Sequence, residues 1–538
     1  MLSTTAAASG PVTPVIGLEF HAQIASRTKL FSSCVADMTA DYFGRPANVA
    51  LAPVDIALPG TLPVLQPEPV VLALATSLAL GCTVPSWSAF ERKHYDYADL
   101  PAGYQITQRA HPLAVDGALS LPGTSTVLRI EQVQLEQDTG KSTHDGGHST
   151  LDFNRAGVAL MEIVTKPDLS SPPEAANAVK TMQTLLRTLA TCDASLDEGS
   201  LRIDVNVSVA DRANGTASER VEIKNIATVS GLVKALEFEI DRQSALLATG
   251  DPGRRETRGY DATTTRTFAL RAKESAADYR YVADANIPSL TVDGTDVARV
   301  RAALPELPWQ VAARAARDLP GLAADQLHWL THVCPMNRAA EAPGSTRARY
   351  WTALCNNSGD DSLKAAAAIV ANGADYMVAM QLQTDAERVA GYHWLANDVA
   401  GRVTKRHASS IPVGTDGWGV APPQLASLVW AVHRGSISGK AGKAVLDIMM
   451  DEAAAAGKTP MVRSADAIAA ERGWAVVTDT VAVRAWAAAA MAAAGPRKAG
   501  IADDKYASWL VGRVVAQSRG VADPKVARDV VANLLSQK

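Results

Sequence analysis

The run Val15-Ile16-Gly17-Leu18-Glu19-Phe20-His21-Ala22-Gln23-Ile24 alternates apolar with polar or small residues almost without fault, and that period of two describes a strand with two unlike faces. Ile16, Leu18, Phe20, Ala22 and Ile24 form one face; Gly17, Glu19, His21 and Gln23 form the other. The first face needs a core to cover it. The second carries a carboxylate beside an imidazole, where a half-buried solvated strand more usually shows Lys, Thr or Ser. A Glu-x-His pair of this kind points to a hard-cation or acid–base site.

The arrangement returns further along. From Leu201 to Val209 the odd positions are aliphatic, while Arg202, Asp204, Asn206 and Ser208 share the opposite face. Arg220 to Asn225 projects Glu222 and Lys224 together and leads into an apolar-periodic segment, Leu232 to Ile240, that reads as a helix. Glu162 stands inside the apolar run Val158–Val164; buried there, its carboxylate must be paired, protonated or metal-bound. Any one of these acids, taken singly, reads as an ordinary ion pair. Taken together, they describe a sheet floor for a metal–nucleotide site, with oxygen ligands and one imidazole suiting Mg²⁺ or Mn²⁺ better than zinc. Phosphoryl transfer is the matching reaction class, since it asks for carboxylates to hold metal and Arg or Lys to neutralise charge.

A chain of 538 residues, 47% hydrophobic and 20% charged, has enough apolar content for more than one core. No run approaches an uncharged membrane span; the alanine-rich stretch Ala485–Ala494 is short and follows Arg484. A net charge of −4 argues against a surface that grips nucleic acid all over, so any such contact is confined to a patch. Five scattered cysteines without C-x-x-C spacing fit a reducing compartment and no zinc finger. The leader Met1–Pro14 has no basic residue, which by itself reads as cytoplasm.

Strand-like alternation fills the first 290 or so residues, and an alanine-rich helical pattern follows from Val297. Ser410–Pro423 reads as a linker, Gly495-Pro496 as a break, and Trp474–Val477 as a short strand signal. The end of the chain reads as two helices joined at Gly520, Ala507–Gln517 and Pro524–Leu535, with Asp523 as N-cap.

A set of ordered motifs goes further than periodicity. Gly17-Leu18-Glu19-Phe20-His21-Ala22-Gln23, Thr28-Lys29-Leu30-Phe31, Arg92-Lys93-His94-Tyr95 and Asp99-Leu100-Pro101-Ala102-Gly103-Tyr104-Gln105-Ile106 come first. Leu135-Glu136-Gln137-Asp138-Thr139-Gly140-Lys141, Asn154-Arg155-Ala156-Gly157, Glu162-Ile163-Val164, Gly199 to Asn206, Glu222-Ile223-Lys224-Asn225 and Asp278-Tyr279-Arg280-Tyr281 follow. In order and rough spacing over residues 15–288 the chain resembles the B-subunit family of glutamyl-tRNA(Gln) amidotransferases, and its C-terminal helices look like that family's tail.

The resemblance implies an α+β fold: an antiparallel-sheet cradle similar to glutamine synthetase over 1–296, a helical domain over 297–415 and a helical, tRNA-binding tail over 421–538. It implies an ATP- and Mg²⁺-dependent ligase working in a heterotrimer with an amidase and a small third subunit. The amidase releases ammonia from glutamine; the family to which the resemblance points phosphorylates the side-chain carboxylate of glutamate misattached to tRNA(Gln), and ammonia displaces the phosphate. The acyl phosphate supplies the leaving group that a carboxylate lacks.

The family's metal site maps onto Glu19, His21, Glu136, Glu162 and Glu222, with Asp204 a further member of the catalytic floor. Lys93, Lys141, Arg202, Lys224, Lys273 and Arg280 are candidates for ATP or substrate contacts; for Lys141 and Arg202, surface ion pairing is the competing reading. Tyr281 reads as core, and Tyr95, Tyr97 and Tyr104 as a packed loop or as the entry for the aminoacyl end of tRNA. Lys440, Lys443, Lys505, Arg513, Arg519, Lys525 and Arg528 are either solvated helix faces or a limited basic surface for tRNA.

The chain departs from the family pattern in places. Gln137 stands where many bacterial members have a second glutamate, and Gln134 replaces a histidine. The Leu-Glu-Gln-Asp form looks like organellar members, which moves the expected location to the mitochondrion, or the cytoplasm in a prokaryote. Extra material is expected near Arg338–Asp361. Two other classes share some of these features. An ATP-dependent ligase for a small carboxylate would turn over ATP without tRNA, and a non-catalytic tRNA scaffold would not depend on Glu19 or His21.

Overall fold

The structure is a computed structural model, and it describes residues 12–36, 45–211, 215–272, 279–328, 330, 380–402, 420–456, 463–494, 503–518 and 521–536. Lys273, Arg519, Gly520 and the stretch 338–361 lie outside the described residues, as does most of the linker read over 410–423.

Its strands are β1 (Thr13–Gln23), β2 (Trp87–Ser88), β3 (Glu91–His94), β4 (Tyr104–Thr107), β5 (Ala114–Ser120), β6 (Val127–Gln137), β7 (Lys141–Asp145), β8 (His148–Asp152), β9 (Ala159–Thr165), β10 (Leu201–Asp211), β11 (Thr216–Ala217), β12 (Val221–Lys224), β13 (Glu256–Asp261), β14 (Arg266–Ala272), β15 (Val282–Ala283) and β16 (Leu290–Thr291). Among the described residues, nine of them form one sheet in the order β14-β13-β12-β10-β1-β9-β6-β5, with β11 on β10. Every pairing in it is antiparallel except β12 with β13. β15, β3 and β4 make a small separate sheet, and β7 and β8 a hairpin.

Two compact units divide the described residues, one up to Gln310 and one from Val311. In the first, the apolar faces read from the sequence meet in one core: Ile16, Leu18, Phe20 and Ala22 of β1 with Leu201, Ile203, Val205 and Val207 of β10. Helices α1 (Pro67–Ala79), α2 (Pro172–Leu189) and α3 (Val229–Ala248) bury their stripes in the same core. α2 starts where it does because the Ser171 hydroxyl accepts from the Glu174 N–H and Pro172 occupies the first turn. On α3, Thr228 Oγ1 accepts from Gly231 N at 2.9 Å.

Lys29, just past β1, is fully buried. Its ammonium lies 3.1 Å from Asp55 Oδ2 and donates to the carbonyls of Ala50 (2.9 Å) and Ala156 (2.7 Å), so its three donors are all used. Gly157 at φ +80° passes this pair so closely that a Cβ would stand 2.9 Å from Asp55 Oδ1; only glycine fits.

α4 (Gly294–Ala303) closes the first core. The second unit is helical in its described residues: α5 (Pro308–Asp318), which leads into it, α6 (Ala324–His328), α7 (Asp385–His393), α8 (Pro422–His433), α9 (Gly439–Ala456), α10 (Ala465–Glu471), α11 (Thr480–Ala494), α12 (Asp503–Gln517) and α13 (Pro524–Ser536). One apolar cluster joins Val311, Leu395 and Val399 to Leu425, Met449 and Ile468, and another unites α11, α12 and α13. Pro422 and Pro423, read from the sequence as linker, are the first turn of α8, where a missing N–H costs nothing. Asp523 Oδ1 accepts from Lys525 N at 2.7 Å as the expected cap of α13. The strand signal at 474–477 is spent on isolated bridges, Ala475 with Ile437 and Val477 with Ala522.

Candidate functional site

The register of the sheet assembles the site. β1 lies between β9 and β10, so His21 has Glu162 on one side and Arg202 on the other, and Gln134 of β6 follows Glu162. One step along, Glu19 faces Asp204; one further, Asn206 of β10 faces Glu222 of β12. Because side chains alternate at period two, these residues all point to the face opposite the core.

Two overlapping ligand groups result. One oxygen or nitrogen from each of Glu19, His21 and Glu162 lies within 4.8 Å of the others, and so do oxygens of Glu19, Asp204 and Glu222. Glu19 belongs to both and is held by Asn206 Nδ2 at 2.8 Å. Lys224 Nζ pairs with Asp204 and lies 3.3 Å from Glu222, whose other oxygen accepts from Thr257 Oγ1 at 2.9 Å. Glu136 is buried beside this pair of groups, accepting from Thr107 Oγ1 and from Gln134 Nε2 at 3.1 Å. The same Gln134 amide donates to Glu162 at 2.7 Å, bridging two carboxylates.

So many acids in one place are partly neutralised by protons. Burial and the Glu136 carboxylate push Glu162 up to about 8. Burial works against the imidazolium of His21, yet the Asp204 hydrogen bond and the Glu162, Asp204 and Glu136 carboxylates lift it to about 9. Burial also works against the carboxylate of Glu136, but the Lys93 ammonium and His21 hold it below the ordinary range. His21 and Lys224 likewise outweigh burial at Asp204 and keep it ionised. Hard oxygen donors, one imidazole and displaceable protons suit a hard divalent cation, and Glu19, His21, Glu162, Asp204 and Glu222 are placed so that they could hold one.

A cavity of about 510 Å³ opens beside this floor, and His21 and Asp204 line it together with Lys93, Glu136, Arg202 and Lys224. Lys93 stays protonated, burial being outweighed by Glu136. Arg202 gives Nη2 to Asp138 at 3.0 Å and keeps a buried Nε with no hydrogen-bond partner among the described residues, a donor for an anion.

Not every residue named from the sequence gathers here. Lys141 is exposed at the start of β7 and is not among the cavity's lining residues. Arg280 is exposed and held at φ +41°, its carbonyl meeting His94 Nδ1 at 2.9 Å. Tyr281 is half-buried rather than core, because it immediately precedes β15, the edge strand of a small sheet, and Arg109 stands over the ring at 4.6 Å. In the tail, Lys440 and Lys443 lie on α9, Lys505 and Arg513 on α12, and Lys525 and Arg528 on α13; Lys443 pairs with Asp398 at 3.2 Å.

Sequence reasoning missed Asp138, Gln134 and Gln137 as working residues. Asp138, buried at the end of β6, accepts from Gln23 Nε2 (2.9 Å), Thr139 N (2.9 Å) and Arg202, with Arg155 at 3.6 Å. The Gln137 amide oxygen accepts from Ile106 N at 3.2 Å, bracing β4 against β6. The signal was an acid and two amides at a strand end, with Gly140 and Gly157 close by.

Comparison with known proteins agrees over most of the chain. The family described as the GatB/GatE catalytic domain matches residues 14–298, and the one described as the GatB domain matches 378–535. The chain is 36% identical to the B subunit of the aspartyl/glutamyl-tRNA(Asn/Gln) amidotransferase of Dinoroseobacter shibae, over 97% of this chain and 95% of that protein. It is 34% identical to the like-named protein of Rickettsia africae (97% of each) and 36% identical to that of Methylocella silvestris (97% and 96%).

Proposed function

This chain belongs to the GatB family, and from that premise and the acid floor we infer that it is the part of a tRNA-dependent amidotransferase that activates the glutamate carboxylate of Glu-tRNA(Gln) with ATP. The observation that carries the chemistry is Glu19, shared between two groups of metal-type ligands, of which His21 and Asp204 also line the adjoining cavity together with Lys93, Arg202 and Lys224.

In this reading a carboxylate oxygen of the tRNA-bound glutamate attacks the γ-phosphorus of ATP and ADP leaves. Ammonia then adds to the acyl phosphate, phosphate departs and a proton is lost to give the amide. Glu19, His21, Glu162, Asp204 and Glu222, with Glu136 behind them, would hold Mg²⁺, which would supply charge neutralisation for the transferring group. Lys93 and Lys224 place ammonium charge along the same cavity, and the unspent Nε of Arg202 offers a hydrogen bond to an anionic oxygen. Arg280 is proposed for the outer edge of the substrate path and Lys141 for a more distant contact. The ammonia comes from an amidase partner, with a small third protein completing the heterotrimer, and the basic residues of α9, α12 and α13 serve the body of the tRNA. The first unit serves as the cradle; the helical part provides a middle domain and a tail.

The test is amidation of Glu-tRNA(Gln) by this chain co-expressed with the amidase and the small third protein, with and without ATP. ATP-dependent Gln-tRNA(Gln) that disappears in Glu19→Gln supports the reading. ATP turnover on a free carboxylate, without tRNA product, replaces it with a small-molecule ligase.

A further inference from the structure

One edge of the cavity joins a lysine and a tyrosine to a cluster of aromatic rings outside it. Lys93, Tyr95 and Gln105 line it, and the Tyr97 ring stands 5.6 Å from that of Tyr95, in edge contact. Tyr95 also meets Tyr279 at 6.1 Å, and the Lys93 ammonium lies 5.1 Å from the Tyr279 ring. Tyr97 itself is 62% exposed.

An exposed tyrosine on a slack loop would mean little, but this loop is braced. The Tyr97 carbonyl accepts from Leu100 N at 3.0 Å, and Gly103 N bonds Leu100 O at 2.9 Å. Gly103 O accepts from Tyr95 N at 3.2 Å, and Asp99 O accepts from Gly140 N at 2.8 Å. Across the strand, the His94 N–H donates to Tyr279 O at 2.8 Å, next to Arg280 in its left-handed conformation. The ring of Tyr97 is therefore presented to solvent by a fixed backbone, one ring away from the cavity wall.

A rigid aromatic face with cations beside it is what unpaired nucleotides bind, because every base has a π-face and its phosphates need positive charge. We propose that Tyr97 and Tyr95 form a stacking platform for the unpaired 3′-terminal nucleotides of the aminoacylated tRNA, with Lys93 and Arg280 near their phosphates. The inference rests on the reading given under Proposed function. The platform holds the strand end while the attached amino acid reaches over Tyr95 into the cavity. Exposure of Tyr97 and the place of Lys93 in the cavity wall divide the labour: the outer ring stacks, and the inner cation meets the phosphate nearest the cavity.

The test uses the whole heterotrimer and steady-state amidation. Tyr97→Ala is expected to raise KM for Glu-tRNA(Gln) about five- to a hundred-fold, the range of one lost base stack. KM for ATP and partner glutamine hydrolysis should not change, and Tyr97→Phe and Tyr97→Trp should restore the wild-type KM. With tRNA trimmed of its unpaired 3′ nucleotides, binding by the wild type and by Tyr97→Ala should be equal. An unchanged KM for tRNA in Tyr97→Ala overturns the platform. A rise in KM for ATP instead overturns it in favour of a stack on the ATP base. Absence of any wild-type amidation overturns the underlying reaction, which separates that failure from failure of the platform.

Discussion

Lys29–Asp55 and the floor around Glu19 both place charge inside the first unit, and they do so in opposite ways. The first is one cation against one anion, with the donors of Lys29 used up on Asp55 and two carbonyls. The second gathers Glu19, Glu136, Glu162, Asp204 and Glu222 around His21 and Lys224, and holds part of its balance as protons on Glu162 and His21. A closed, neutral pair fixes a loop and binds nothing. An acid-rich cluster with protons to give up has the composition that a cation site requires.

That contrast breaks if the two sites respond alike to mutation. Glu19→Gln keeps the acceptor for Asn206 and removes like charge, so amidation is expected to fall at least about a thousand-fold while the melting temperature holds or rises. Lys29→Met should do the reverse. Asp55 is left buried without its cation, and about 3–5 kcal/mol of stability is lost in denaturant unfolding. Adding Asp55→Leu should recover much of that loss. Activity per folded molecule should survive in the double variant. A stable but inactive Lys29→Met would put Lys29 in the site and end the distinction.

Asp138 sharpens it, because this residue is as closed as Asp55 yet touches the site through Arg202. Asn at 138 turns an N–H toward Gln23, Arg202 or Thr139, all donors. With a charge-assisted bond worth about 1.5–3 kcal/mol, kcat/KM should drop about ten- to a hundred-fold with ATP as varied substrate. Partner glutamine hydrolysis should be untouched. If only stability falls, Asp138 belongs with Asp55.

Much of this arrangement is written at period two. The faces of β1, β10 and β12 are legible residue by residue, and Glu162 shows itself as an acid in an apolar run. Glu136 does not, and β6 shows why. Its buried apolar residues run Leu128, Ile130, then Val133, Leu135, because the register shifts between Ile130 and Gln132 and reverses the parity of the strand. A simple alternation cannot be followed through that bulge. Asp138 lies beyond the strand end, where periodicity has stopped. Nor does local pattern say that β1 sits between β9 and β10, or that β12 and β13 run parallel; the partners of β1 lie over a hundred positions away, and such pairings are set by packing of the whole sheet. Pro422 and Pro423 misled because proline both ends loops and starts helices.

The smallest expected effect tests the protons themselves. Without metal, Glu162 holds its proton below about 8 and His21 below about 9. A divalent ion needs the carboxylate and the neutral imidazole, so binding must expel those protons. Apparent Mg²⁺ or Mn²⁺ affinity of the metal-free complex should therefore rise with pH, by about ten-fold per unit for each proton released, and level off above about 9. Titration calorimetry in buffers of different ionisation enthalpy counts the protons directly. Glu162→Gln should weaken binding and remove one proton from the count, whereas Lys29→Met/Asp55→Leu should leave the count unchanged. A flat affinity between pH 6 and 9 would mean that the floor balances its charge without protons, as Lys29 and Asp55 do, and the two sites would then differ in composition alone.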